Sequence, residues 1–426
     1  MKPKNKIFKL CQKIQPIYRS ILGKGNLKTL KILRSVNKKL KIINFKSGSK
    51  VYDWKIPKEW NIKDGWIKDL KTNKKILNFR ENMLSIAGYS QPIDKIVNLK
   101  TLKKNIFSLK NQTNATPYVF FYYSKNWGFC MTHQKKKKLN SEKYHVKIDS
   151  KFSDGKLRIG EIFIKGKLDK EILLTTYICH PQMANNELSG PAVLIYLSKW
   201  ISSRKRKYSY RIVFTSETIG AITYINNNFL KLKKNVIGGY VITCVGDEKE
   251  YSYLKTKKEN SLSDKVALEV LKKIKYKKKV YSWKNRGSDE RQFNAPGVDL
   301  NIGSLTRSKY GTFKEYHTSL DKLGTVVTSK GLNQSFIYIK KVIENFEKKI
   351  IPYSLVTCEP FLSKRNLYFK PGTKSSFKRY NKTLWDIISY SDGNFSLEEI
   401  CAKLKIPVSI GKKILVILKK NKLVNF

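Results

Sequence analysis

From Lys151 onward two kinds of segment alternate, and this rhythm constrains the fold more than any other feature of the chain. EILLTTYIC (171–179), YRIVFTSE (210–217), VIGGYVITCVG (236–246) and GVDLNIGSL (297–305) are nearly continuous apolar or β-branched runs. Strands of that kind, buried on both faces, belong to parallel sheets. Between and after them, GPAVLIYLSKWI, IGAITYINNNFLK, DKVALEVLKKI and GLNQSFIYIKKVIENFEKK carry helical spacing. The pattern predicts an α/β fold with a mixed, mostly parallel sheet flanked by helices.

The flanks read differently. LKTLKILRSVNKKL (27–40) has helical spacing, whereas VYDWKIPKEW, PYVFFYY and NWGFCMTH suggest β structure with turns up to about Ser150. The run Lys135–Lys138 is read as a solvated hairpin tip. Residues from about Ser354 to Arg379 read as a linker. The remaining chain reads as three short helices, with Ser396 and Glu399 forming a capping box before one of them. That arrangement suggests a helix-turn-helix or small winged helix. VSIGKKILVILKK offers lysines but no Arg, Asn or Gln for base edges, which favours a docking module over a DNA reader.

The formal net charge is +55. Such a charge attracts anionic partners, nucleic acid first among them. Lysine greatly outnumbers arginine, however, and the basic residues are spread along the whole chain, so drift in composition accounts for the charge better than a dedicated surface does. The six cysteines contain no C-x-x-C pair and several lie in apolar runs, as expected of reduced thiols in a cytoplasmic protein. The basic N-terminus has its apolar stretch broken by charges, so it reads as neither a signal peptide nor a membrane span.

Two of the four histidines fall at ends of the α/β elements. His180 follows the strand LLTTYIC, and His317 follows VDLNIGSL. The loops after other strands carry Glu217 and the pair Asp289 and Glu290. Ligands of open parallel sheets bind beyond the carboxyl ends of the strands. Four loops can therefore deliver two imidazoles and two carboxylates to one edge, the donor set of a zinc hydrolase. Each residue alone has an ordinary explanation, a surface histidine or a helix cap. Their joint placement at strand exits carries the reading.

The motifs ANNELSGP, VFTSETIGAI, GSDERQFNAPGVDL and EYHTSLDKL come in the order and spacing of the zinc aminopeptidases with a co-catalytic two-metal site. The chain resembles more narrowly the bacterial aminopeptidase-like proteins associated with polysaccharide-biosynthesis genes, through VYDWKIPKEW, AGYSQP, NWGFC and CHPQMANNELSGP. That resemblance implies an aminopeptidase-like α/β domain, phosphorylase/hydrolase-like in fold, from residues 1–50 and 145–350, an inserted β-rich domain at 51–144, and a linker with a winged-helix-like domain at 355–426. It makes Glu217 the general base, and His180, Asp289 and His317 the zinc ligands. Arg291, Arg307 and Tyr316 are the candidates for holding the substrate. Two positions depart from the pattern. Asn186 stands where the family has a bridging aspartate, and Thr218 where it has a second metal-binding glutamate. One zinc ion is therefore expected, with Glu187 or Glu290 as possible substitute ligands.

The resemblance implies a hydrolase of amide or peptide bonds, acting on a peptide, a sugar-linked compound or a small metabolite. The alternative is a non-catalytic protein that keeps the scaffold and contacts nucleic acid or a protein partner through its C-terminal domain. No membrane partner is expected.

Overall fold

The computed structural model describes residues 5–367 and 375–426. Residues 368–374 of the expected linker lie outside the described residues. The chain opens with two helices, α1 (Lys6–Ile14) and α2 (Lys24–Val36), and the strand β1 (Lys41–Lys46). A second group of strands follows: β2 (Glu59–Asp69), β3 (Lys75–Asn78), β4 (Ile93–Asn98) and β5 (Lys143–Ser153). The α/β series then runs β6 (Lys156–Ile164), β7 (Glu171–Tyr177), α3 (Ser189–Ser202), β8 (Ser209–Thr215), α4 (Ile219–Asn235) and β9 (Val236–Ile242). It continues through β10 (Tyr251–Leu254), α5 (Leu262–Lys272), β11 (Lys278–Tyr281), β12 (Ile302–Thr306) and α6 (Ser329–Lys348).

The main sheet has eight strands in the order β1-β6-β8-β7-β9-β12-β10-β11. Its centre, β8-β7-β9-β12, is parallel, as the apolar runs predict. Every residue of β7 and of β8 is buried. Helices cover both faces. Ile7 and Leu10 of α1, Val193 and Leu197 of α3, Val266 of α5 and Ile339 of α6 share one core. Tyr224 and Ile225 of α4 pack on the opposite face with Leu173, Val213 and Val241. Arg211, in the middle of β8, is held in this interior by two carboxylates: Glu171 accepts two of its hydrogen bonds, at 2.6 and 3.0 Å, and Glu161 a third at 2.8 Å.

The second sheet is antiparallel, in the order β3-β2-β5-β4. Its central strand β5 runs to Ser153 and pairs with both β2 and β4. The α/β part of the chain was expected to resume at residue 145; those pairings keep residues 145–153 in the second sheet instead. The expected hairpin tip at Lys135–Lys138 is also corrected: Thr132 accepts from the backbone N–H of Lys135 and starts a short helix, His133–Lys137.

At the C-terminal end, helices α7 (Ser375–Ser389), α8 (Leu397–Leu404) and α9 (Val408–Lys420) enclose a separate core that includes Leu384, Ile400 and Leu415. The capping box of Ser396 and Glu399 is formed. A minimal wing exists too: Val424–Asn425 pairs antiparallel with Tyr353–Ser354. No helix among the described residues is long and apolar enough to cross a membrane.

Candidate active site

The carboxyl ends of β7 and β8 are neighbours in the parallel centre of the sheet, so the loops that follow them open side by side. His180 stands three residues past β7, and Glu217 two residues past β8. Behind His180 the chain does not run straight into α3. It makes a π-helical turn, Ala184–Leu188, fully buried. Such turns are uncommon and concentrate at functional sites. This one swings Glu187 back so that its Oε2 lies 2.8 Å from His180 Nδ1. With Nδ1–H donated to Glu187, the imidazole presents the lone pair of Nε2. That nitrogen is 3.6 Å from Glu217 Oε2.

Glu217 is held from its other side, where the Ser288 hydroxyl donates to Oε1 at 2.6 Å. Burial, only partly offset by His180, raises the pKa of this carboxyl. Asp289 accepts the backbone N–H of Thr218 at Oδ1, 2.7 Å, and its Oδ2 is buried without a partner. Burial and the negative Glu217 raise its pKa as well. His317, at φ +54°, has a buried Nε2 without a hydrogen-bond partner among the described residues. Burial, with His180 nearby, lowers its pKa to about 3. The rings of His180 and His317 are 5.4 Å apart. Burial pulls the pKa of His180 down, but Glu187 and Glu217 outweigh it and the net shift is upward.

His180, Glu217 and His317 border a cavity of about 670 Å³, which Asp289 does not line. Its floor includes His180, Glu217 and His317, and its wall is aromatic: Trp54, Phe120, Tyr122 and Tyr123. Phe120 and Tyr122 stack at 4.1 Å. Arg291 borders the cavity, its Nε donating to the Ser288 carbonyl at 3.1 Å. Tyr316 stacks on His317 at 3.9 Å, behind the imidazole. Arg307 is not brought here. Its guanidinium lies over the ring of Tyr251 at 3.8 Å and donates to the Glu250 carbonyl and to Gln334, because it follows β12 on the side facing β10. Glu290 is not available to a ligand either. Its carboxylate accepts from the backbone of Gly287 and Ser288 and from the hydroxyls of Ser304 and Tyr310.

For the zinc that the resemblance implies, the donor atoms decide. Among the described residues, the one trio of candidate donors lying within 4.8 Å of one another is Cys179, His180 and Glu187. It suits a cation poorly. His180 Nδ1 is engaged by Glu187, burial raises the pKa of the Cys179 thiol, and the buried Arg19 guanidinium lies 4.0 Å from Glu187 Oε1. The expected ligands His180, Asp289 and His317 do not form such a trio among the described residues, although His180 and His317 line the cavity and His317 Nε2 and Asp289 Oδ2 are buried without partners. A second cation lacks its anions. Asn186 is a neutral amide whose Oδ1 accepts from the Tyr177 hydroxyl at 3.0 Å, and Thr218 offers no carboxylate.

Three contributors were not visible as such in the sequence. Arg19 lies 161 residues from the His180 carbonyl it donates to, and nothing local signals that contact. Ser288 reads as a helix cap. The wall residues 120–123 read from sequence as aromatic β structure, but they belong to no strand and form a loop with isolated bridges.

A family model described as a domain of unknown function (DUF4910) matches residues 8–349, and a winged helix-turn-helix model matches residues 351–426. A Clostridium acetobutylicum protein, assigned to polysaccharide biosynthesis and described as having an aminopeptidase-like domain, is 42% identical over 398 residues, covering 93% of this chain and 91% of its own. A crystal structure of a C. acetobutylicum protein, provisionally described as a peptidase, superposes with a TM-score of 0.79 at 39% identity, over 99% of this chain and 96% of that one. A Bacillus subtilis zinc aminopeptidase shares the fold at 14% identity, with a TM-score of 0.59 over 82% of this chain and 96% of its own. With the parallel sheet, the strand-exit residues and these matches in place, the chain belongs to the DUF4910 family, aminopeptidase-like in fold and joined to a C-terminal winged helix-turn-helix.

Proposed function

We propose that the protein hydrolyses an amide bond in a small substrate, with Glu217 as general base. The observation that carries this is the setting of Glu217. It is a partly buried carboxylate, its side chain 23% exposed towards the cavity, fixed at Oε1 by Ser288 and facing His180 Nε2 through Oε2, at the floor of an aromatic-walled cavity. A general base must reach the attacking water and then return the proton to the leaving amine. Glu217 is anchored on one oxygen only, which leaves the other for that transfer. Arg291, on the cavity edge, is placed to pair with an anionic group of the substrate or with the tetrahedral oxyanion. Tyr316 backs His317 and fixes the plane of its ring rather than reaching the cavity.

His180, Asp289 and His317 would hold a single zinc ion once binding drew their donor atoms together, since as they stand the three do not all lie within 4.8 Å of one another. Such an ion supplies Lewis-acid polarisation of the carbonyl and acidifies a bound water. The aromatic wall favours substrates with a flat apolar face, such as the C–H face of a sugar ring or an aromatic side chain. Together with the relative's assignment to polysaccharide biosynthesis, it favours a sugar-linked amide over a long peptide.

The test is a hydrolysis screen over aminoacyl and N-acyl amides, including N-acylated amino sugars, comparing wild type with Glu217→Gln. The variant should lose on the order of 100-fold or more in kcat/KM. Equal rates remove Glu217 from its role. A non-catalytic reading is favoured by one feature, the exposed lysines 412, 413, 419 and 420 on α9, which suit contact with nucleic-acid phosphates. Wild type showing no turnover in the screen, together with salt-dependent duplex affinity lost on neutralising those lysines, would establish that reading instead.

A further inference from the structure

Arg307, left out of the pocket above, lies behind a different one, against its lining residues Gln334 and Tyr251. A groove of about 580 Å³ runs between α5 with its following turn and α6, floored by Tyr251 of β10. It shares no lining residue with the cavity of Glu217. Its walls are apolar and aromatic, from Ile274, Tyr276, Ile337 and Tyr338. Its rim carries Lys273, Lys275, Lys341 and Lys348, none with an ion-pair partner among the described residues. The one carboxylate in the lining, Glu344, pairs with Lys340 at 3.6 Å.

Lysines on a chain of this composition need no ligand to explain them. The buried donors behind them do. Tyr338 is 3% exposed, and its hydroxyl has no hydrogen-bond partner. Arg307 is fully buried, and its Nη1 donates at 3.1 Å to Gln334, a residue of the groove one helical turn before Tyr338. Its Nη2 has no partner, and it forms no ion pair with a carboxylate among the described residues. Buried donors without acceptors are rare and costly. Here one of them belongs to Tyr338, which lines a groove whose rim is already positive, and the other to Arg307, which bonds to Gln334 of the same lining.

We propose that this groove binds a nucleoside phosphate. The planar base lies against the tyrosine and isoleucine floor. The phosphate oxygens accept from the Tyr338 hydroxyl and pair with the lysine rim, with the buried Arg307 charge behind them. Inorganic phosphate alone would leave the apolar floor unused. A duplex is too large for a cavity of this size, which matches a single small ligand.

The full chain is titrated calorimetrically with ADP, adenosine and inorganic pyrophosphate at about 150 mM salt, where loose surface attraction is screened. ADP should bind, and adenosine and pyrophosphate should each bind at least about tenfold more weakly. Tyr338→Phe removes one hydroxyl and should weaken ADP binding about five- to tenfold with an unchanged circular dichroism spectrum. Lys275→Gln with Lys341→Gln should cost about tenfold or more. Neither variant should alter amide hydrolysis, so failure here is separable from failure of the proposed activity. No ADP binding overturns the proposal, and so does wild-type affinity in Tyr338→Phe. Pyrophosphate binding as tightly as ADP, or a short duplex displacing ADP, would mark the groove as a basic patch only.

Discussion

Glu187→Gln is the substitution that most directly probes how His180 is held. Arg19 and Glu187 are each about 1% exposed. The arginine donates Nη1 to the carbonyls of Ile14 and Ile17, at 2.8 and 3.0 Å, and Nε to the carbonyl of His180 at 3.1 Å. Its charge has one opposite number, Glu187 Oε1 at 4.0 Å, an oxygen that accepts no hydrogen bond. Burial pulls the guanidinium pKa below its usual range, and Glu187 resists that pull. Glutamine keeps the size and one acceptor for His180 Nδ1–H, so what it removes is the charge. Removing one partner of a buried pair costs about 3–5 kcal/mol, because the other is left uncompensated. At ~2.1 cal/mol/K per residue, a unit of about 340 residues loses stability at ~0.7 kcal/mol per kelvin, so Tm should fall by about 4–7 °C. Scanning calorimetry reads this directly. Arg19→Met combined with Glu187→Gln should recover most of the loss, since no charge is then stranded. A Glu187→Gln variant melting within about 1 °C of wild type, or a double variant showing the sum of two losses, would refute the reasoning.

Asp321 offers a pH test away from the carboxylates of the cavity. It accepts the backbone N–H groups of Asn185 and Asn186, yet burial raises its pKa to about 7. A carboxyl raised in the fold favours the folded state in its neutral form. Its contribution is whole below about pH 4, is lost as pH rises towards about 7, and is constant above. Wild type should therefore lose stability relative to Asp321→Asn across that window; parallel melting curves from pH 4 to 7 would disprove it. In the winged helix, Ser396→Ala removes one half of the capping box and should cost about 1 kcal/mol. Hydrogen exchange should then show about fivefold less protection for amides 397–404, and unchanged protection would mean that the box is idle.

The α/β core was legible because its signal is local and redundant. β7 and β8 are runs of mostly apolar and β-branched residues, interrupted in β8 only by Arg211, and every residue of both is buried. His180, Glu217, Asp289 and His317 could be placed near one edge because strand exits of a parallel sheet share an edge whatever the details of the loops. What stayed hidden depends on contacts between distant segments. The wing pairs Tyr353 with Asn425 and Ser354 with Val424, 72 and 70 positions later, and two-residue strands have no periodicity to detect. Lys135–Lys138 looked like a turn because lysines are silent about helix or loop; Thr132, a capping residue, held the usable signal. Arg307 was misplaced because the register of β12 against antiparallel β10, not its distance along the chain from His317, decides which way it faces.

His317 shows how far the cavity is a joint product of the main sheet and the inserted segment 116–123, which lies outside both sheets. A non-glycine residue at φ +54° costs about 1 kcal/mol or more and persists only where its surroundings fix it. The fixing comes from the aromatic segment. The Tyr118 backbone N–H donates to the His317 carbonyl at 2.8 Å, that of Ser319 donates to the Thr116 carbonyl at 2.9 Å, and Pro117 bridges to Thr318. Residues 116–118 thus pair with the His317 loop much as a short strand would, and the same segment continues directly into Phe120–Tyr123 of the wall. The ring of Tyr118 touches both imidazoles, at 5.1 Å from His180 and 5.3 Å from His317. One stretch of eight residues therefore sets the strained backbone of a candidate ligand, the spacing of two histidines and the shape of the substrate wall. Changes of substrate within this architecture are accordingly expected in residues 116–123 and Trp54, where the wall can vary while the strand exits of the main sheet keep the polar floor in place.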